Sequence, residues 1–294
     1  MNSRTHALEW TSEDEFEVDG IEYSCKPMHD YFESTATRFC LRKPPHLVRR
    51  LEQLLAESKP RTIVELGVFE GGSTGFIAQT TPVEKLITFD IERPCVALEQ
   101  MIRAKELETI VRPHWEIDQA DTERLRAIVR EELGDTPIDL IIDDASHLLE
   151  PTRASFNALF PLLRPGGTYL LEDWAWAHGI TNAWPRQTPL SVLVFELTLA
   201  VAHRPEALER LDIDRSWALV TRGPRDLDDS FDLLEHCGER GRQVLPPPGA
   251  GALPQQGIAD AASEPPRSAR SLMRRAIGRV GGPSQGGPGG PDVG

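Results

Sequence analysis

Two short acidic clusters carry most of the chemistry open to this chain. Asp143-Asp144 closes the run P-I-D-L-I-I, with His147 three residues beyond, and Glu172-Asp173 closes the run T-Y-L-L. Carboxylates gathered in one place repel each other unless a proton or a cation intervenes, and a hard divalent ion such as Mg²⁺ is their natural partner. A histidine beside such a group can take a proton near neutral pH. Glu65, Asp90 and Asp118 also lie at or just after apolar runs, and Gly67-Val68-Phe69-Glu70-Gly71-Gly72-Ser73 offers a tight turn between a strand and a helix.

The elements that must position these residues are legible from periodicity. Ile138, Leu140, Ile141 and Ile142 suit a strand buried on both faces, as do Thr168 to Leu171. Pro151 opens an intervening helix, with Phe156, Leu159, Phe160 and Leu163 at helical spacing, and Pro165-Gly166-Gly167 stops it. A helix of this length is the crossover that parallel strands need, so both acidic clusters fall on one edge of a sheet, where ligands of open α/β sheets bind. Upstream, His46 to Ser58 reads as a helix, Thr62 to Gly67 and Lys85 to Asp90 as strands, Pro94 to Leu107 as a return helix and Val111 to Asp118 as a third strand. Asp121 caps a helix to Leu133. Downstream come a helix over Leu190 to Ala202, a strand over Trp217 to Thr221 and a short element over Phe231 to Cys237. The predicted architecture is a doubly wound, mostly parallel α/β sheet.

The glycine turn bears on cofactor choice. Glu70 inside it would repel a pyrophosphate, so a cofactor without phosphates fits better. S-adenosyl-L-methionine meets that condition: its carboxylate can sit near Ser73 at a helix N-terminus and its ammonium can face Glu65. Asp90 is placed for the ribose hydroxyls and Asp118 for the adenine amino group. Either Asp143 or Asp144 could be a metal ligand, because adjacent residues cannot be oriented from sequence. Trp174, Trp176, His178 and Trp184 follow the second acidic cluster and could wall an acceptor pocket or simply fill core.

The motifs E-L-G-V-F-E-G-G-S, L-I-T-F-D-I, D-Q-A-D, I-D-D-A-S-H and L-L-E-D-W, spread over Pro60 to Trp174, resemble the metal-dependent class I S-adenosylmethionine O-methyltransferases. Among these they are similar to the macrocin, mycinamicin and rhamnose O-methyltransferases and to cephalosporin hydroxylase-like proteins. The resemblance implies a Rossmann-like class I methyltransferase fold. It implies metal ligation by Asp144, Glu172 and Asp173, His147 as general base with Asp144 beside it, and cofactor contacts from Glu65, Gly67, Phe69, Ser73, Asp90, Asp118 and Gln119. It implies Mg²⁺-dependent methylation of a hydroxyl, here assigned to a deoxysugar of a secondary metabolite such as an antibiotic, on an acceptor with vicinal hydroxyls. Small-diol or catechol-like methylation is the alternative within enzymes, and a non-catalytic subunit of an oxidative complex is the alternative outside them. Two departures stand out. Phe69 replaces a common tyrosine, and 294 residues leave no room for the large N-terminal auxiliary domain of the macrolide enzymes, which argues against a macrolide acceptor.

Composition sets outer bounds. A formal charge of −14 argues against a nucleic-acid backbone as partner. Four scattered cysteines without a C-x-x-C pair read as free thiols. No apolar run approaches membrane length and the N-terminus lacks a signal-peptide pattern, so a cytoplasmic protein without a membrane partner is expected, as a homo-oligomer. Residues 1–42 form an extension that either folds over the sheet edge as a lid or packs on the sheet, the second being preferred. Residues 43–244 form the methyltransferase domain. Residues 245–294, rich in proline and glycine with a basic island over Arg267 to Val280, form a disordered tail.

Overall fold

The structure is a computed structural model that describes residues 6–25, 32–178 and 188–245. The expectations for Met28 to Tyr31, Trp184 and the tail lie outside the described residues.

The main sheet has seven strands: β5 (Thr62–Leu66), β6 (Lys85–Asp90), β7 (Val111–Trp115), β8 (Ile138–Asp143), β9 (Leu163–Glu172), β10 (Leu208–Ile213) and β11 (Trp217–Arg222), in the order β10-β11-β9-β8-β5-β6-β7. The five strands from β7 to β9 run parallel, and β11 returns antiparallel between β9 and β10. Counted within this sheet the order is 3-2-1-4-5-7-6, the class I methyltransferase arrangement. Helices α1 (Pro45–Ser58), α2 (Gly72–Thr80), α3 (Val96–Ala104), α4 (Thr122–Leu133), α5 (Leu149–Leu159) and α6 (Ser191–His203) follow their strands or flank the sheet, and two short helices, α7 (Leu233–His236) and α8 (Gly238–Val244), close the described chain.

Register aligns the site. Phe89, Leu66, Asp143 and Leu171 form one row across β6, β5, β8 and β9. The residues one step further are Asp90, Gly67, Asp144 and Glu172, so the sheet delivers three acids and a glycine to one edge. Gly67 has φ 91°, and a Cβ there would lie 2.3 Å from the Asp144 backbone oxygen. Glycine is therefore the condition for β5 and β8 to end side by side, where the Asp144 amide donates to the Leu66 carbonyl at 2.9 Å. Two cores fill the faces. Ile141, Leu171, Phe156, Leu159 and Leu193 lie in one; Ile63, Leu140, Ile142, Phe76 and Leu51 lie in the other.

The N-terminal segment forms a second, four-stranded sheet: β1 (Glu9–Trp10), β2 (Glu15–Val18), β3 (Ile21–Ser24) and β4 (Arg38–Cys40). Asp19 and Gly20 both have positive φ, which gives β2 and β3 the tight hairpin that an Asp-Gly pair favours. Phe16 and Tyr23 pack on Phe76 of α2, and the Tyr23 hydroxyl donates to Gln79. This segment thus packs into the core rather than lying free. Its last residues, Cys40 to Lys43, pass directly over the start of α2, where a Cβ on Gly72 would come within 2.7 Å of the Cys40 oxygen.

Several boundaries differ from the sequence reading. Strand β7 stops at Trp115, because Glu116 turns to φ 58° and its amide bonds the Glu92 carbonyl, so Asp118 stands three residues past the strand end. The segment Pro165-Gly166-Gly167 lies inside β9 instead of ending a helix. Leu163 already pairs with Ile138, and a register shift before the Leu140–Thr168 pair absorbs the extra residues. Helix α3 is shorter than Pro94 to Leu107, and β10 is a charged edge strand that sequence periodicity does not announce.

Replacing Gly67 by alanine should cost more than about 4 kcal/mol or prevent folding, because both φ and the Asp144 backbone forbid a Cβ. Gly20→Ala, with positive φ but nothing within 4 Å of the added carbon, should cost only about 1–2 kcal/mol. Urea unfolding of the two variants separates the cases.

Candidate active site

One cleft runs along the sheet edge, with about 690 Å³ of empty space including its open mouth. The β4–α1 connection walls one side with Leu41, Arg42, Lys43 and Pro44. The glycine turn contributes Gly67, Val68, Phe69, Gly72 and Ser73, and the far end holds Asp144, His147, Glu172, Asp173 and Trp176. The guanidinium of Arg42 stacks over Phe69 at 4.5 Å from the ring centre, which fixes the ring at the mouth.

Asp143 and Asp144 have opposite fates. Asp143 shares the face of Ile141 and is buried; its carboxylate accepts from the Tyr169 hydroxyl at 2.5 Å, Ser155 Oγ at 3.1 Å and Gln119 Nε2 at 3.0 Å. Burial pushes it up to about 6 despite these donors. Its oxygens are occupied within the fold, so it is not available as a ligand. Asp144, beyond the strand, faces the cleft. Gln119 sits beneath the same loop, accepting from the Ser146 amide at 3.2 Å, and it props the Asp144–His147 segment from below.

His147 is held at φ 55° by that loop and does not lie on a helix. Its Nε2 is 3.7 Å from Asp144 Oδ1, its ring lies 4.6 Å from that of Trp176, and it also bonds the Glu172 backbone carbonyl. Burial lowers its pKa below the ordinary 6.5, only partly countered by Asp144, so the ring is neutral and basic at pH 7.

Ligand atoms of Asp144, His147 and Asp173 lie within 4.8 Å of one another. Burial, then the neighbouring carboxylates, push Glu172 and Asp173 well above the usual carboxylate range. Glu172 Oε1 is buried beside the Trp217 indole without a hydrogen bond of normal geometry among the described residues. Crowded, buried carboxylates with one oxygen left unsatisfied fit a hard divalent cation, whose charge would let them ionise together. Sequence reasoning did not find Lys43. Its Nζ donates to Asp144 Oδ2 at 2.7 Å and to Glu172 Oε2 at 2.6 Å, and its side chain is 7% exposed. Burial lowers the Lys43 pKa, but the two carboxylates outweigh that and leave it raised and charged.

The proposed cofactor residues divide between cleft and support. Gly67, Phe69 and Ser73 line the cleft. Glu65 is buried under the turn, where it accepts from the Ser73 and Thr74 hydroxyls at 2.5 Å each; burial lifts it to about 7. Asp90 accepts from the Val68 and Phe69 amides at 2.8 Å, so it shapes the glycine turn directly. Glu70 points away from the cleft: it accepts from the Ser34 amide at 3.2 Å. Asp118 is exposed and accepts from the Ala120 amide. Trp176 packs on His147 and walls the site, whereas Trp174 directs its indole to the Asp214 carbonyl and His178 bonds Ser191. Trp174 and Trp176 both border a small depression with Thr188, Pro189 and Leu190 next to His147.

The profile of a family described as methyltransferase domain matches residues 64–174. The chain is 53% identical over 49 residues to demethylmacrocin O-methyltransferase of Streptomyces fradiae (17% of this chain, 11% of that protein). It is 47% identical over 68 residues to mycinamicin VI 2''-O-methyltransferase of Micromonospora griseorubida (23% of this chain, 15% of that protein). The matched segments therefore span only a small part of these curated relatives. Among solved structures, MycE methyltransferase in complex with Mg, S-adenosylhomocysteine and mycinamycin VI aligns with a TM-score of 0.47 and 28% identity, over 61% of this chain and 49% of that one.

Glu65 gives a pH signature. Below its unfolded value of 4.5 both states hold the proton. Between 4.5 and about 7 only the unfolded state ionises, so stability falls as pH rises, and above about 7 the loss is complete. At about 1.36 kcal/mol per unit this amounts to roughly 3 kcal/mol. Glu65→Gln should flatten the fall in melting temperature between pH 5 and pH 8, measured with the cofactor absent. An unchanged slope would show that Glu65 ionises freely inside the fold.

Proposed function

We propose that this protein is a Mg²⁺-dependent O-methyltransferase using S-adenosyl-L-methionine, and that its acceptor is a hydroxyl of a deoxysugar on a secondary metabolite. The observation that carries the reading is the juxtaposition of Asp144, His147 and Asp173 with the glycine turn in one cleft. The relatives support it, since those named above are O-methyltransferases of demethylmacrocin and mycinamicin VI. The catalytic unit is the domain of residues 43–244, with Leu41 and Arg42 of the preceding segment completing the cleft wall.

S-adenosyl-L-methionine supplies an already activated methyl group, so the protein's work is positioning. The turn at Gly67 to Ser73 would seat it, with Asp90 holding the Val68 and Phe69 amides in place and Glu65 anchoring Ser73 at the start of α2. Asp144 and Asp173, joined by Glu172, would hold the divalent cation, whose contribution is to acidify a chelated hydroxyl. A hard cation prefers the carboxylate oxygens to imidazole, which leaves His147 free as general base. His147 Nε2 takes the acceptor proton. Trp176 and the Glu172 carbonyl fix the direction of the ring, and the Asp144 carboxylate stabilises the imidazolium that results. Trp176 also offers an aromatic face to a sugar ring.

Transfer of labelled methyl to a panel of glycosylated polyketides and small diols tests the reading. Asp144→Asn should abolish turnover and greatly weaken Mg²⁺ binding. His147→Ala should keep cofactor binding while turnover falls roughly 10²–10⁴-fold, partly restored at high pH. Full activity of wild type in chelator would refute the metal, and near-normal turnover of His147→Ala would refute the base.

A further inference from the structure

We propose that Lys43 is a built-in counter-cation of the carboxylate cluster, holding Asp144 and Glu172 together until a divalent cation displaces it. The inference rests on the metal reading above and adds a competitor to it.

The geometry points to exclusive occupancy. Lys43 Nζ uses Asp144 Oδ2 at 2.7 Å and Glu172 Oε2 at 2.6 Å, both distances of charge-assisted hydrogen bonds. The lysine side chain is 7% exposed and that of Glu172 is 2% exposed, so this ion pair lies at the buried floor of the cleft, while Asp144, at 27%, opens toward its mouth. A divalent ion drawing on the same two carboxylates would face an ammonium at contact range, where screening is weak. The donor group that remains compact, Asp144 with His147 and Asp173, excludes Glu172. Two carboxylates suffice for a weak Mg²⁺ site; Lys43 takes one oxygen of Asp144 and ties up the third carboxylate, Glu172, that would strengthen it. The placement of Lys43 is also built rather than accidental. It lies three residues past the end of β4, Arg42 before it is pinned over Phe69, and Pro44-Pro45 after it starts α1. Release of Lys43 therefore acts on the strap that walls the cofactor cleft.

The test is titration of Lys43→Met and wild type with Mg²⁺ by calorimetry, with melting temperature as a second readout. The variant should bind roughly tenfold or more tightly, within the range by which groups around a metal site alter its affinity. Without metal it should melt lower than wild type, and added Mg²⁺ should raise its melting temperature more. A third readout needs no variant: amine acetylation of the native protein, followed by mass spectrometry. Lys43 should label far more slowly than exposed Lys59 in chelator and several-fold faster in saturating Mg²⁺. Equal or weaker binding by the variant, or Lys43 labelling unchanged by bound metal, overturns the competition while leaving the metal reading intact. Binding by neither protein overturns the metal reading and the competition with it.

Discussion

The central constraint is electrostatic. Parallel pairing of β5, β8 and β9 aligns Leu66, Asp143 and Leu171 in one row, and the next residues of β8 and β9 must then crowd their carboxylates together. Glu172 and Asp173 are largely buried, and Asp144 faces them. Such a group is stable only with protons or cations among its members. The fold meets this need with Lys43, carried in from the N-terminal sheet, and leaves donor atoms of Asp144, His147 and Asp173 close enough for one ion.

The remaining structure serves that edge. Gly67 lets β5 end against β8, Asp90 ties the glycine turn to β6, and Glu65 ties the same turn to α2. The Asp143–Tyr169–Ser155–Gln119 network fixes the loop that presents Asp144 and His147. Cofactor cleft and carboxylate cluster are thus two ends of one backbone row. In this arrangement an acid can act as support, as Asp143 does, or face the cleft, as Asp144 does, according to a single residue of offset.

Most of the sheet was legible because its strands are short apolar runs closed by acids, as in Lys85–Asp90 and Ile138–Asp143. The order of the acids along the edge followed from the crossover helices. What escaped were features set by long-range packing. Lys43 reads as part of a basic R-K-P stretch, and its partners lie 101 and 129 residues away. The sequence leaves Asp143 and Asp144 as equal candidates, and it is the register of β8 that sets Asp143 with Ile141 on the face covered by α5. The run V-R-P-H-W-E-I-D predicts a strand ending at Asp118, but Glu116 breaks β7 first by entering the left-handed region. The bulged start of β9 concealed a ten-residue strand behind a Pro-Gly-Gly sequence that ordinarily stops structure.

Anomalous diffraction from crystals grown with Mn²⁺ as the Mg²⁺ surrogate is the most direct measurement of the central claim. The account predicts one strong peak at the carboxyl edge, about 2.1 Å from oxygens of Asp144 and Asp173. In that crystal the Lys43 ammonium should no longer lie between Asp144 and Glu172. A map without a peak at saturating Mn²⁺, or with the peak elsewhere and Lys43 still bonded to both carboxylates, would contradict it.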